Sequence, residues 1–351
     1  MQKPKPRLRV VRNDERAESS ANHGVWRPAN LNELVGQDRG KLKVRMHVTS
    51  ALHRGIQPGH MLLSGPPGLG KTSMAETVPA QMNEGRPESE HVAFHSVMGT
   101  FVKTEKQLAK VLAKLRAGDV LFIDECHQMN LKAEEMLGLA LEDGRITVAG
   151  TESGTTDGQV VEIPPFTLVG ATTRPAEISQ PLRNRMKLNV RMEWYTSEEL
   201  AEIVTNAAKR SEVTLTEGAA LAIAEVGRNT PRITLGIMEQ VFSYADTLKL
   251  SEVDTEAVEG AFDVIGIDSM GLDERDRDYL EIIASWCGKR VGLKPAAAKF
   301  GITEKEITDD IEPFLLRAGM LDMGSRGRCL TKLAYSHMWP GEPIPPLLGL
   351  S

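Results

Sequence analysis

The sequence predicts an α/β domain with a parallel sheet covered by helices on both faces, then an all-α domain, then a C-terminal winged helix. Three observations predict it. Apolar strand-like runs alternate with helix-spaced stretches from Trp26 to about Trp194, the pattern of a parallel sheet packed under helices. A glycine-rich phosphate loop stands between one such strand and one such helix. Beyond Tyr195 the strand-like runs stop, and the chain closes on helix, short helix, helix and hairpin, the order of a winged helix.

Composition bounds the possibilities. The 351 residues suffice for two or three domains. At 41% hydrophobic and 26% charged, the chain has an ordinary globular composition. No apolar run approaches the roughly 18 residues of a membrane span, so no membrane association is expected. A net charge of −6 argues against a generally basic nucleic-acid coat, yet phosphate contacts need only a local patch. Cys126, Cys287 and Cys329 are far apart, with no CxxC and no zinc-type spacing. A reducing, cytoplasmic setting follows.

Residues 1–25 carry Lys3, Lys5, Arg7, Arg9, Arg12 and Arg16 among few apolar groups, which reads as a disordered basic tail without an apolar signal core. The large domain spans 26–194. "HMLLSG", "HVAFHS", "DVLFID" and "FTLVGA" are its strands, and "KTSMAETVPAQM", "TEKQLAKVLAKL" and "LKAEEMLGLALE" its helices. Within it, 145–165 alternates around a Gly-rich turn and predicts an inserted hairpin. The helical domain, 195–268, opens on "TSEELAEIVTNAAKR", with a Ser/Thr cap and Glu198 and Glu199 in its first turn. The winged helix occupies 269–338. Its first helix places Tyr279, Ile282, Ile283 and Trp286 on one face, and "MLDMGSRGRCLT" reads as its hairpin. A Pro-rich tail, 339–351, is expected to be extended.

Two motifs carry the chemistry. "GPPGLGKT" comprises Gly65, Pro66, Pro67, Gly68, Leu69, Gly70, Lys71 and Thr72, with Ser73 next on the helix. Glycines let the backbone curl so that N–H groups face phosphate oxygens, and the helix N-terminus adds positive potential. Lys71 reaches the outer phosphates and Thr72 offers a hydroxyl to Mg²⁺. "DVLFIDECH" is the second half. Asp124 and Glu125 end an apolar strand, where two carboxylates repel unless a cation and a water use them. Asp124 is the expected Mg²⁺ partner and Glu125 the group that activates water. His127 is expected to cap or pack rather than catalyse.

A third stretch, "ATTRPAEISQPLRNRM", holds Arg174, Arg183 and Arg185 against a single carboxylate, Glu177, so carboxylates do not match the arginines one for one. Arginine is always charged and is rarely left unpaired. The hairpin segment "GSRGRCLTK" bears Arg326, Arg328 and Lys332 with few acids nearby, a surface suited to clamping a phosphate backbone.

"LVGQ", "GPPGLGKT", "DVLFIDE", "PPFTLVGATTR", "PLRNR", "NTPR", "GLD" and "RGR" together resemble the AAA+ ATPases and, within them, the RuvB branch. The resemblance implies an ATP-driven motor for double-stranded or four-way junction DNA, working as a homo-hexamer in branch migration of Holliday junctions. ATP and Mg²⁺ are the implied cofactors and a RuvA-like protein the implied partner. Arg185 matches the arginine finger that reaches a neighbour's γ-phosphate. Thr173 matches sensor 1 and Arg232 sensor 2. Arg27, Pro28, Leu34, Val35, Tyr195 and Pro231 match the adenine pocket, with Tyr195 packing on the base. The inserted hairpin matches the docking element for the partner, offering Val160, Val161 and Ile163. Cys126 and Gln128 depart from that branch's Ile and Arg around the histidine, and Met186-Lys187 from its Phe-Gly. The alternative is a clamp-loader-like or protein-remodelling ATPase.

Overall fold

The computed structural model describes residues 9–11, 27–148 and 159–345. By contacts it divides into two compact units. One is Met1–Glu212 with Thr230–Arg232, the other Val213–Asn229 with Ile233–Ser351.

The first unit begins with β1 (Arg9–Val11), α1 (Asp38–His53), β2 (Met61–Ser64), α2 (Lys71–Asn83), β3 (Phe94–Met98), α3 (Glu105–Leu112), β4 (Val120–Asp124) and α4 (Leu131–Asp143). It continues through β5 (Arg145–Val148), β6 (Gln159–Glu162), β7 (Thr167–Thr172), α5 (Gln180–Arg185), β8 (Leu188–Arg191) and α6 (Ser197–Arg210). The sheet order is β1-β3-β4-β7-β2-β8. All its pairings are parallel except β1 on β3. β1 falls within the N-terminal segment expected to be disordered: residues 9–11 add an edge strand. The rest of that segment lies outside the described residues.

Central strands of a parallel sheet are covered on both faces, so they read as unbroken apolar runs. β7 is buried along its whole length, and Phe122 and Ile123 of β4 are fully buried. Leu108, Leu112, Leu121, Ile123, Leu137 and Leu168 share one cluster, each contributing about 1.5–3 kcal/mol by burial. Local chemistry sets the helix starts. Thr104 and Thr196 each form a capping box, with Gln107 and Glu199 respectively, which satisfies amides that open each helix.

β5 and β6 pair antiparallel as the inserted hairpin; its tip, 149–158, lies outside the described residues. Only part of its expected docking face is available. Val160 is exposed, whereas Ile163 is buried in the core with Val161 packed against it.

The second unit contains α7 (Glu217–Glu225), most of α8 (Pro231–Leu248), α9 (Thr255–Ile265), α10 (Glu274–Ala284) and α11 (Leu293–Phe300). The next helix, α12, runs from Glu304–Glu306 through a π-helical turn, Ile307–Ile311, into Glu312–Arg317. β9 (Leu321–Gly324) and β10 (Gly327–Leu330) form the wing, antiparallel and joined at Ser325 and Arg326, and α13 (Lys332–Met338) follows. Arg228, at the end of the α7 turn, pairs with Asp273 at 3.0 Å and Asp276 at 2.6 Å and lies over the Phe314 ring. The helices around α7 and the winged helix are therefore tied by a half-buried charge cluster.

Candidate active site

The site forms at the C-terminal ends of β2, β4 and β7, where an open parallel sheet leaves room for a ligand. β2 ends at Ser64 and the chain turns at once into the phosphate loop. Gly68 and Gly70 have φ of 82° and 84°, a region that favours glycine. Leu69 is fully buried and anchors the loop from beneath. α2 then begins at Lys71, so the amides of Lys71, Thr72 and Ser73 lack intrahelical acceptors and present the positive end of the helix. Pro66 and Pro67 stiffen the turn by fixing φ. The Lys71 ammonium donates to the carbonyls of Gly65 (2.8 Å) and Pro66 (2.9 Å). Burial lowers its pKa; Glu125 and Asp124 oppose that shift, and Arg232 adds to it.

Asp124 lies opposite, 3.5 Å from the Thr72 hydroxyl. Burial raises its pKa, and the neighbouring Glu125 raises it further. Such a carboxylate gains from a cation. Among the described residues no group of three or more His, Cys, Asp and Glu could hold a metal. Thr72 and Asp124 instead fit Mg²⁺, which keeps several waters and takes one or two carboxylates together with phosphate oxygens.

Glu125 adopts the left-handed conformation, φ 47° and ψ 51°. Gly99 makes room for it: a Cβ there would lie 2.3 Å from the Glu125 carbonyl oxygen. We expect Gly99→Ala to lower stability by about 1–3 kcal/mol through overpacking and to slow ATP turnover by displacing Glu125. Thermal melting and an ATPase assay on the same preparation check both.

Glu125 Oε2 accepts from the backbone N–H and the hydroxyl of Thr173, each at 3.0 Å. The expected sensor threonine thus touches the expected water-activating carboxylate. His127, expected to cap or pack, is buried against that same carboxylate. Its Nδ1 stands 3.2 Å from Glu125 Oε2 and 3.0 Å from the Thr172 hydroxyl. The adjacent threonines of "ATTR" were the available signal, since side chains at Thr172 and Thr173 leave the strand end in different directions.

Arg232 sits beside the loop: a Cβ on Gly68 would come 3.1 Å from its Cβ. Tyr195 is buried, with its hydroxyl 3.5 Å from the Leu69 carbonyl and its pKa pushed up to about 12 by burial. Pro28, Leu34 and Val35 are buried, and Arg27 pairs with Glu76 of α2. Pro231 starts α8. Gln37, missed by sequence reasoning, ties this region to the segment that follows β8. Its side-chain amide donates to the Glu193 carbonyl at 2.7 Å, and its carbonyl accepts from the Glu193 N–H at 2.9 Å.

The arginines do not all stand as expected. Arg185, read as unpaired within its chain, forms an ion pair with Glu142 and lies against Gly138 of α4. Arg183 donates to the carbonyls of Pro175 (2.7 Å) and Ile178 (3.0 Å), so it braces its own loop. Arg174 pairs with Glu177 at 3.2 Å.

Arg326 at the wing turn and Lys332 at the start of α13 are exposed, but Arg328 is not. It is 5% exposed and pairs with the buried Glu312 of α12, which also accepts from the Tyr279 hydroxyl. Its guanidinium is consumed inside the fold and does not face phosphate. Arg290, overlooked in the sequence, joins the wing instead, donating to the Gly327 carbonyl at 3.1 Å and pairing with Asp322.

A phosphate loop, an acidic strand end and a threonine that meets it from the end of the next strand of the same sheet, with a helical segment and a winged helix after them, define an AAA+ ATPase. Family models agree along the chain: the Holliday junction DNA helicase RuvB P-loop domain matches residues 26–192, the RuvB AAA lid domain 195–268 and the RuvB C-terminal winged helix domain 269–339. The chain belongs to the RuvB family. It is 39% identical over 313 residues to the Holliday junction branch migration complex subunit RuvB of Fervidobacterium nodosum, covering 89% of this chain and 88% of that one. The Thermotoga maritima RuvB Holliday junction branch migration motor superposes with a TM-score of 0.77 at 36% identity, covering 90% of this chain and 99% of that one.

Proposed function

We propose that this chain is an ATP-driven double-stranded DNA translocase that drives branch migration of Holliday junctions as a hexameric ring. The carrying observation is the contact of Thr173 with Glu125 at the mouth of the phosphate loop, an arrangement made for hydrolysis rather than mere nucleotide storage. The backbone N–H groups of residues 68–73, with the Lys71 ammonium, bind the phosphates. Thr72 and Asp124 would hold Mg²⁺, which would supply positive charge against the phosphates. Glu125 takes the proton of the attacking water through Oε1. Thr173 orients that water or the γ-phosphate, and Arg232 reports the γ-phosphate to the helices that follow. Tyr195, Arg27, Pro28, Leu34, Val35 and Pro231 enclose the adenine. Arg185 reaches the nucleotide of the adjoining subunit.

The winged helix grips DNA through Arg326 and Lys332. In such folds the helix equivalent to α12 enters the groove, but here its first part, 304–311, exposes Glu304, Asp309 and Asp310 against one basic residue, Lys305, a net charge that phosphate repels. Grip through the wing alone touches backbone without reading bases, as sliding requires. A RuvA-like protein is the fitting partner, met through the hairpin β5–β6, and the cytoplasm the fitting compartment; no helix among the described residues is long and apolar enough to cross a membrane.

The test is a four-way junction assay. ATP-dependent conversion of the junction, with ATPase stimulated by duplex DNA, is expected with or without a RuvA-like protein. ATPase that responds only to a protein substrate overturns the reading and favours a remodelling machine. Two substitutions separate grip from fold. Arg326→Ala leaves the melting temperature in place and weakens DNA binding. Arg328→Ala strands a buried carboxylate and costs about 3–5 kcal/mol, seen as early melting of the winged helix.

A further inference from the structure

His127 has no part in the mechanism above, yet it touches the central carboxylate. Its side chain is only 5% exposed and lies on the turn after β4. Nδ1 is 3.0 Å from Thr172 Oγ1 and 3.2 Å from Glu125 Oε2. The Thr172 hydroxyl also accepts from the Arg174 N–H at 2.9 Å. A bare Nδ1 lone pair facing a carboxylate oxygen at that distance is repulsive, so Nδ1 carries the proton, directs it to the Thr172 hydroxyl and sets its electropositive edge beside Oε2.

Oε2 of Glu125 therefore accepts two hydrogen bonds, from the Thr173 N–H and the Thr173 hydroxyl, with the His127 ring edge set against it at 3.2 Å. Oε1 is left for the water. The Thr173 hydroxyl has a single proton. When it turns to the γ-phosphate or the water, Glu125 loses that bond, and only the Thr173 N–H and His127 keep the carboxylate from rotating.

We infer that His127 is a positioning residue for ATP hydrolysis, holding Glu125 in register with the attacking water while Thr173 engages the nucleotide. This rests on Glu125 as the water-activating group. A carboxylate misplaced by about 1 Å costs on the order of 10²-fold in rate, and nucleotide binding is untouched because His127 does not reach the phosphate loop.

Steady-state ATPase and ATP-binding measurements on the full chain test it. His127→Ala is expected to lower kcat on the order of 10²-fold with KM changed by less than about twofold. His127→Asn places an amide N–H near the position of Nδ1 and is expected to restore kcat to within about tenfold of wild type, whereas His127→Gln, whose amide matches the far ring nitrogen, is not. In a Glu125→Gln background, His127→Ala should add no further loss, because residues acting as a unit are non-additive. A wild-type kcat in His127→Ala, equal activity of the Asn and Gln variants, or a full additional loss on Glu125→Gln each overturns the role. Should His127→Ala melt early, the Asn and Gln pair, matched in polarity, still decides. If Glu125→Gln itself turns over at the wild-type rate, the assignment of Glu125 falls; if it is inactive while His127→Ala is normal, only the role of His127 falls.

Discussion

Glu125→Gln binds ATP with near wild-type affinity and hydrolyses it on the order of 10²–10⁴-fold more slowly, the usual contribution of a general base. The amide keeps the shape of the side chain and can still meet the Thr173 N–H and hydroxyl, whose contacts hold the carboxylate at 3.0 Å. It cannot take a proton from water. Asp124 and Thr72 are untouched, so the phosphates remain bound. Burial has already raised the pKa of Asp124, and removing the adjacent negative charge lowers it again, so the cation site is not weakened. Single-turnover hydrolysis beside a nucleotide-binding titration checks both halves. Tight binding without turnover is the expected signature; wild-type turnover removes Glu125 from the mechanism.

Arg185→Ala is expected to lose roughly 10³–10⁵ in turnover when it is the only species present. Mixed with Lys71→Ala subunits, it should regain part of that activity, since each variant then supplies the half-site its neighbour lacks. The competing interactions are small. In its own chain Arg185 pairs with Glu142, whose side chain is 61% exposed, a pair worth about 0–1 kcal/mol, and donates to the Pro181 carbonyl at 2.9 Å, a bond worth about 0.5–1.5 kcal/mol. A finger worth roughly 10³–10⁵ represents about 4–7 kcal/mol, so the guanidinium leaves Glu142 readily once a triphosphate is in reach. Measured ATPase across mixing ratios decides. A strictly linear decline, with no ratio exceeding either parent, counts against sites built from two copies.

The parts legible in sequence were those written in short range. "GPPGLGKT" specifies loop, glycine conformation and helix start within residues 65–72, and each appears. β4 and β7 are legible because full burial demands unbroken apolar runs. α1 was not, because Leu42 and Met46 are exposed on it and blur the face marked by Val44, Val48 and Ala51. β8 was missed because its four residues are mostly polar or partly exposed, and its place is set by parallel pairing with β2. The site divides in the same way. Spacing reveals which residues cluster along the chain, but not that Arg328 meets Glu312, or that His127 meets Thr172 from 45 residues away. Charge alone marked Arg185 and Arg328 as available. The partners that occupy them come from other elements, and only tertiary folding brings those together.

The buried pair of Arg328 and Glu312 has a practical consequence. Dissolved ions screen exposed charges over about 10 Å at 0.1 M ionic strength, and reach a shielded pair far less. Arg326 and Lys332 lie in solvent, so any hold they take on phosphate weakens as ionic strength rises, while the hairpin behind them keeps its shape. A salt titration of DNA binding therefore reads the grip alone, unmixed with melting of the handle.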